Sequence, residues 1–156
     1  MVERQGKVWL MQTFMPHDTY VESAAVLDDT RLRSQRNEAK TVLRTLLGEY
    51  PRTKTGRPGG WPYHPATKMW RGYEYSLCRY GLAMCAEALR RGWVNGDLTE
   101  FFEDRMAKLE PAGDPPWMGR FSFHESHRSN LLRKNPDHYR QLWPNVPDDL
   151  PYVWPV

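Results

Sequence analysis

The stretch from Leu27 to Leu47, LDDTRLRSQRNEAKTVLRTLL, decides how the rest of the chain is read. It contains no Gly and no Pro and is rich in good helix formers, which predicts one helix. Wound at 3.6 residues per turn, Leu32, Ala39, Val42, Leu43 and Leu46 form an apolar stripe that must face a core. Arg33, Asn37, Lys40, Thr41 and Arg44 fall on the opposite, solvated side. Asp28, Arg31, Gln35 and Glu38 break this pattern. Spaced three, four and three residues apart, they run as a polar line within or beside the stripe. A buried polar group without a partner costs about 1–3 kcal/mol. These four side chains therefore either pair with one another or line a cleft, and both readings stay open on this helix alone.

Working outward, the predicted helix begins near Ser23, with Val21 as a staple residue, and ends at Gly48. Residues 1–10 are a polar lead, and MQTFMPHDTY after them is irregular, with a turn at Pro16 to Asp18. Residues 49–65, EYPRTKTGRPGGWPYHP, form a loop carrying Arg52, Lys54, Arg57, Trp61 and Tyr63. A second helix is expected from Ala66 to Arg91, with Met69, Tyr73, Leu77, Tyr80, Met84 and Ala88 keeping a core rhythm. His64 sits just before it, at a positive helix end that favours the neutral imidazole. A third helix spans Asp97 to Leu109. A fourth, opened by the capping-box pattern Ser122-Phe123-His124-Glu125, stops at Asn135-Pro136, and PDHYRQL gives a short helix after it. No strand signal competes. The expected fold is all-α: one domain over residues 1–156, three long helices plus short ones, with residues 144–156 as an extended Pro- and Trp-rich tail packed on the body.

The fourth helix holds a second polar cluster: His124, Ser126, His127, Arg128, Asn130, Arg133 and Lys134 within eleven residues. His127 intrudes beside a core position. His124 and His127 lie three apart with Glu125 adjacent, but HESH is not the HExxH spacing and no Cys or acidic cluster completes a site, so no metal and no cofactor are expected. Arg128, Arg133 and Lys134 suit phosphate, and Asn130 suits a phosphate or a base edge. The alternative for the cluster is a solvated basic face, which accounts for Arg133 and Lys134 but not for His127.

With 156 residues, 40% hydrophobic and 26% charged, the composition is that of an ordinary globular protein; 13 Pro and 7 Trp are the unusual counts. A formal charge of +3 permits nucleic-acid binding without demanding it. Cys78 and Cys85 lie two helical turns apart, roughly 10 Å, too far for a disulfide. Reduced thiols suit a cytoplasmic setting. No apolar run approaches a membrane span, and MVERQGKVWL has no secretory core.

Taken in order, LDDTRLRSQRNEA, then GWPYHPATKMWRGYEYSL with a long helix ending ALRRG, then FHESHRSNLLRKNPDHY resemble the pyrimidine-dimer DNA glycosylase (phage endonuclease V-like) family. The likeness runs from about residue 8 to residue 143 and is strongest to a bacterial branch with a DLPYVWP ending. The resemblance implies a compact all-α domain, binding to duplex DNA with nucleotide flipping, and cleavage of the N-glycosidic bond of a damaged base. It implies a terminal α-amine as nucleophile for a lyase step, a first-helix carboxylate, and arginines on phosphates. The family's Arg-Glu pair is not reproduced in place, since this chain reads Asp-Thr-Arg there. Asp28 or Glu38 then supplies the carboxylate, and Arg31 and Arg36 the arginine role. Ten residues precede Met11, the alternative start.

The expectation is a DNA N-glycosylase acting on a damaged or modified pyrimidine, with strand scission left open. Asp28, Glu38 and His127 are the catalytic candidates. Arg31, Gln35, Arg36, His64, Arg128, Asn130 and Lys134 are the substrate-binding candidates. The expected partner is duplex DNA, met by a monomer in the cytoplasm at the nucleoid, with no membrane and no obligate protein partner. The alternatives are a non-catalytic DNA clamp of the same fold, or a hydrolase or transferase acting on a small nucleotide.

Overall fold

The computed structural model describes residues 12–49 and 61–155. The polar lead and the basic loop at Arg52, Lys54 and Arg57 lie outside the described residues. The described chain is all-α: α1 (Tyr20–Val26), α2 (Asp29–Leu46), a 3-10 turn (Trp61–Tyr63), α3 (Pro65–Lys68), α4 (Glu74–Arg90), α5 (Leu98–Ala107), α6 (Phe121–Lys134) and α7 (Pro136–Tyr139).

The predicted first helix is two helices. Leu27 turns to an extended conformation with ψ 137°, Asp28 follows at ψ 161°, and α2 starts afresh at Asp29. No Gly or Pro causes this break. Arg91 holds it from sixty residues away: its guanidinium donates to the carbonyls of Leu27 (2.7 Å) and Ala25 (3.2 Å). Carbonyls at a helix end have no partner within the helix, and here a cation supplies one. Arg91 is fixed in turn by Glu87 (2.7 Å) and Asp29 (2.9 Å). Burial would push the Glu87 carboxyl up, but hydrogen bonds from Arg90 first, and then from Arg91, leave it lowered.

The predicted second helix is also interrupted. One turn, α3, is separated from α4 by residues 69–73, with Gly72 at φ +90°, a conformation that ends helices and that side chains disfavour. Trp70, fully buried, lies in this break and packs edge-on to Trp117. The expected capping box does not form. Phe121 and Ser122 are already helical, and Arg120 occupies the N-cap without a side-chain bond. The stop at Asn135-Pro136 is as expected: the Asn135 side chain accepts from the His138 N–H and caps α7.

The α2 stripe lies in the core, with Leu32, Ala39, Val42 and Leu43 fully buried and Leu46 packed at its edge. It packs on α4, whose Leu77, Tyr80, Met84 and Ala88 are buried, as are the free thiols Cys78 and Cys85. Helix α4 in turn packs on α5 at close range. A Cβ built on Gly81 would stand 2.4 Å from the tip of the fully buried Phe102 ring. Gly to Ala within a helix ordinarily stabilises by about 1 kcal/mol. At this contact the sign reverses: Gly81→Ala is expected to lower unfolding free energy by about 1–3 kcal/mol in urea titration, and the loss should shrink when Phe102→Leu makes room. A neutral Gly81→Ala would show that the two helices are free to separate.

Candidate active site

Residues 12–15 run through the interior without helix or strand; Gln12, Thr13, Phe14 and Met15 are all 3% exposed or less. Buried peptide groups outside regular structure need other partners, and side chains of α2, α4 and α6 provide them. The Gln12 N–H donates to Glu38 Oε2 (2.9 Å), the Phe14 N–H to Gln35 Oε1 (2.8 Å) and the Met15 N–H to His127 Nδ1 (2.9 Å). On the carbonyl side, the single proton of Tyr80 OH is shared between Phe14 O (2.9 Å) and Gln35 Oε1 (2.7 Å). His124 Nδ1–H donates to Met15 O (2.8 Å), and Arg128 donates to Pro16 O (2.6 Å). The Thr13 hydroxyl accepts from the Trp70 indole (2.9 Å).

The two histidines hold both sides of one residue, and this fixes their protons. His127 Nδ1 accepts, so its proton is on Nε2. His124 Nε2 accepts from the Gly119 N–H (2.9 Å), so its proton is on Nδ1. Both rings are neutral. Burial, reinforced by the nearby His124 and Arg128, pushes His127 down to about 3. His124 is also lowered, first by burial.

Glu38 is the carboxyl at the head of this array. Its Oε2 accepts from the Gln12 N–H and from Gln35 Nε2 (3.2 Å). Burial raises its pKa to about 7, against the opposing pull of those two hydrogen bonds and of the Lys134 charge. A carboxyl held at neutrality exchanges protons under working conditions, which suits acid–base chemistry. Tyr152 of the tail faces the same spot. Its phenol is pushed up by burial, with smaller influences from Arg133, Glu38 and the Gln12 amide.

The α2 polar line thus divides. Gln35 and Glu38 serve the 12–15 segment, together with His127, while the Lys134 charge acts on Glu38. Asp28 and Arg31 form a separate group. Tyr139 OH donates to Asp28 Oδ1 and accepts from the Asp28 N–H (2.9 Å), while Arg31 (3.3 Å) and Asn135 (3.4 Å) reach Oδ2. This is the ion-pair alternative, realised in half of the line. The remaining candidates are scattered. His64 caps α3 through Nδ1 (3.0 Å from Ala66 N) and stands edge-on to Trp154. Arg36 turns to Asn95 Oδ1 (2.7 Å) and Val94 O (3.1 Å). Arg128 lies over the Phe121 ring, and Asn130 ties Ser126 O to Leu150 O in the tail. Gln12, Tyr80 and Tyr152 belong to the site and were not among the sequence candidates. Tyr80 carried a signal, a hydroxyl inside an apolar rhythm that must find a partner.

With this geometry in place, the comparison with known families is decisive. The family model described as pyrimidine dimer DNA glycosylase matches residues 11–101, more than half of the chain. The chain belongs to that family. No curated protein and no solved structure matches significantly. Membership makes this a DNA glycosylase-type protein whose substrate is DNA. The matched span includes Gln12, Gln35, Glu38 and Tyr80, whereas α6 and the tail lie beyond it. Among the described residues no helix is long and apolar enough to cross a membrane, and no cluster of three metal-ligating side chains is assembled.

The histidine pair has a pH consequence. A His whose folded pKa is depressed gives stability that is present above the unfolded value of 6.5 and is lost as pH falls toward the folded value, here about 3 for His127. The raised Glu38 acts oppositely between 4.5 and about 7, so the His127 effect is best isolated against a variant sharing Glu38. The stability advantage of the parent over His127→Gln should fall by about 2 kcal/mol between pH 6.5 and 5 in denaturant titrations. A pH-independent difference would mean that His127 is not held neutral.

Proposed function

We propose that the protein is a DNA N-glycosylase that releases a damaged or modified pyrimidine from a nucleotide extruded from duplex DNA, with Glu38 as its catalytic carboxylate. The observation that carries this reading is the Glu38 carboxyl itself, held near pH 7 and 2.9 Å from the main-chain nitrogen of Gln12. In the hydrolytic route, ionised Glu38 takes a proton from a water molecule. The water oxygen bonds to the anomeric carbon as the glycosidic bond breaks and the base departs with the bonding electrons. The same negative charge stabilises the oxocarbenium-like sugar. Lys134 beside Glu38 suits the adjoining phosphate. Asp28 and His127 take supporting roles in this reading, one anchoring α2 to Tyr139 and the other holding Met15. Arg31 braces Asp28, and Arg36 and Arg128 brace the scaffold around the site.

The lyase route requires an amine. A peptide nitrogen is not a nucleophile, so Gln12 within a longer chain supports base release alone. A chain processed to start at Gln12 would carry its α-amine beside Glu38 and would form an imine with the sugar.

Glu38→Gln keeps an oxygen to accept from Gln12 N–H but cannot take a proton. Base release from duplexes carrying cyclobutane dimers, uracil or modified pyrimidines should fall by at least about 100-fold, with duplex binding retained. The rate for the parent should rise with pH through about 7, following ionisation of Glu38. Borohydride should trap a covalent adduct only with a chain starting at Gln12. Full base release by Glu38→Gln would remove Glu38 from the mechanism. Binding without release from any substrate would favour the non-catalytic clamp.

A further inference from the structure

Gln35 stands between the Glu38 carboxyl and the core. A carboxamide has nearly the same shape at both ends but donates from one and accepts at the other, so its neighbours must fix which way it points. Two donors do so here. The Phe14 N–H (2.8 Å) and the Tyr80 hydroxyl (2.7 Å) converge on Gln35 Oε1. Gln35 Nε2 is thereby turned onto Glu38 Oε2 (3.2 Å). Turned over, the amide would set its oxygen against the Glu38 charge and its own N–H groups against two donors. Tyr80 is clamped in turn, its ring edge-on to Tyr20 (5.6 Å between centroids) and tilted against Trp70 (5.9 Å). Burial first, and then the Glu38 charge, keep its phenol protonated and therefore a donor.

Gln35 is 1% exposed and Tyr80 is fully buried. Neither touches DNA, so any part they take in base release is exerted through Glu38. Both donors on Glu38 meet one oxygen: the Gln12 N–H (2.9 Å) and Gln35 Nε2 each reach Oε2. Among the described residues no hydrogen bond is made to Oε1, and Glu38 keeps partial access to solvent. Hydrogen bonds to a carboxylate oxygen favour its charged form and reduce its pull on a further proton. Oε1 is therefore the more basic of the two.

We propose that Gln35 and Tyr80 are positioning residues for base release: Tyr80 orients the Gln35 carboxamide, Gln35 holds Glu38 by Oε2, and Oε1 is left to take the proton from the attacking water. The proposal rests on the hydrolytic glycosylase reading above. The water O–H bond breaks toward Oε1, the water oxygen bonds to the anomeric carbon, and the base leaves with the electrons of the glycosidic bond. Without the Gln35 donor the carboxyl is freer to rotate, its charge loses a partner, and its ionisation moves to higher pH. The other groups that act on Glu38 are Lys134 of α6, Tyr80 of α4 and Tyr152 of the tail; burial pushes both phenols up, so they stay protonated while Glu38 titrates.

Gln35→Met keeps the bulk of the side chain and removes the donor. The midpoint of the rate of base release against pH should rise by about one unit from about 7. Then kcat on a dimer- or uracil-containing duplex falls about tenfold at pH 6 and returns to within about threefold of the parent at pH 9, with KM unchanged. Tyr80→Phe should move the midpoint the same way by less, because the Phe14 N–H still holds the amide, and should add nothing in the Gln35→Met background. A carbon-13 titration of Glu38 in the same variants, without DNA, should show the same rise. In the parent, the Gln35 side-chain NH2 resonances should move with the Glu38 titration, which needs no substitution. A loss that is equal at every pH, an unmoved Glu38 midpoint in Gln35→Met, additive effects of the two substitutions, or Gln35 resonances indifferent to Glu38 each overturn the proposal. A parent that releases no base, while its Glu38 midpoint still responds to Gln35→Met, fails the glycosylase reading and leaves the Gln35 contact standing.

Discussion

The peptide groups of residues 12–16 are the constraint on which the rest depends. They pass through the interior with no helix or strand to pair them, and leaving each buried group unpaired would cost about 1–3 kcal/mol. The three long helices meet that cost by placing polar side chains where their packing faces would otherwise be apolar: Glu38 and Gln35 on α2, Tyr80 on α4, His124 and His127 on α6. The core and the site are therefore one structure. The segment links side chains of α2, α4 and α6, and Tyr80 on α4 also bonds Gln35 on α2 directly.

This arrangement explains the chemistry of Glu38. Its carboxyl is drawn into low dielectric by the segment it binds, and burial outweighs the donors that favour its charge, so it titrates near neutrality. The same burial does the reverse to the histidines, which stay neutral and act as fixed hydrogen-bonding blocks rather than as acids. Asp28 shows what a different neighbourhood does to the same functional group on the same helix. Tyr139, Arg31 and Asn135 surround it and make it a strut between α2 and α7.

Much of this was legible in the sequence, and the boundary of legibility has physical reasons. The α2 stripe, the polar line beside it and the misplaced His127 stand out because helical periodicity is local and any side chain breaking it is conspicuous. The break at Leu27 and Asp28 is not visible in its own residues; it is held by Arg91, a contact sixty residues distant. Gly72 did signal the interruption before α4, but the strong core rhythm around it pointed to a continuous helix. Ser122 to Glu125 matched a capping box that tertiary packing overrode by starting α6 earlier. The partners of the polar line were out of reach for the same reason as Arg91. Glu38 meets Gln12 across twenty-six residues, and nothing in an irregular MQTFMP stretch announces that it will be buried.

Helix α6 carries two loads on neighbouring faces. His124, His127 and Arg128 hold the 12–16 segment, while Ser126, Ser129, Asn130 and Arg133 hold the tail, and Tyr152 brings the tail against that segment near Glu38. The account stands or falls on the state of that carboxyl. A carbon-13 NMR titration of the Glu38 side-chain carboxyl in the folded protein is the most direct measurement. The account predicts a midpoint near 7, with the Gln12 amide resonance moving at the same pH. A midpoint near 4.5, the ordinary glutamate value, with no response at Gln12, would mean that Glu38 is solvated and apart from the segment, contradicting the account at its centre.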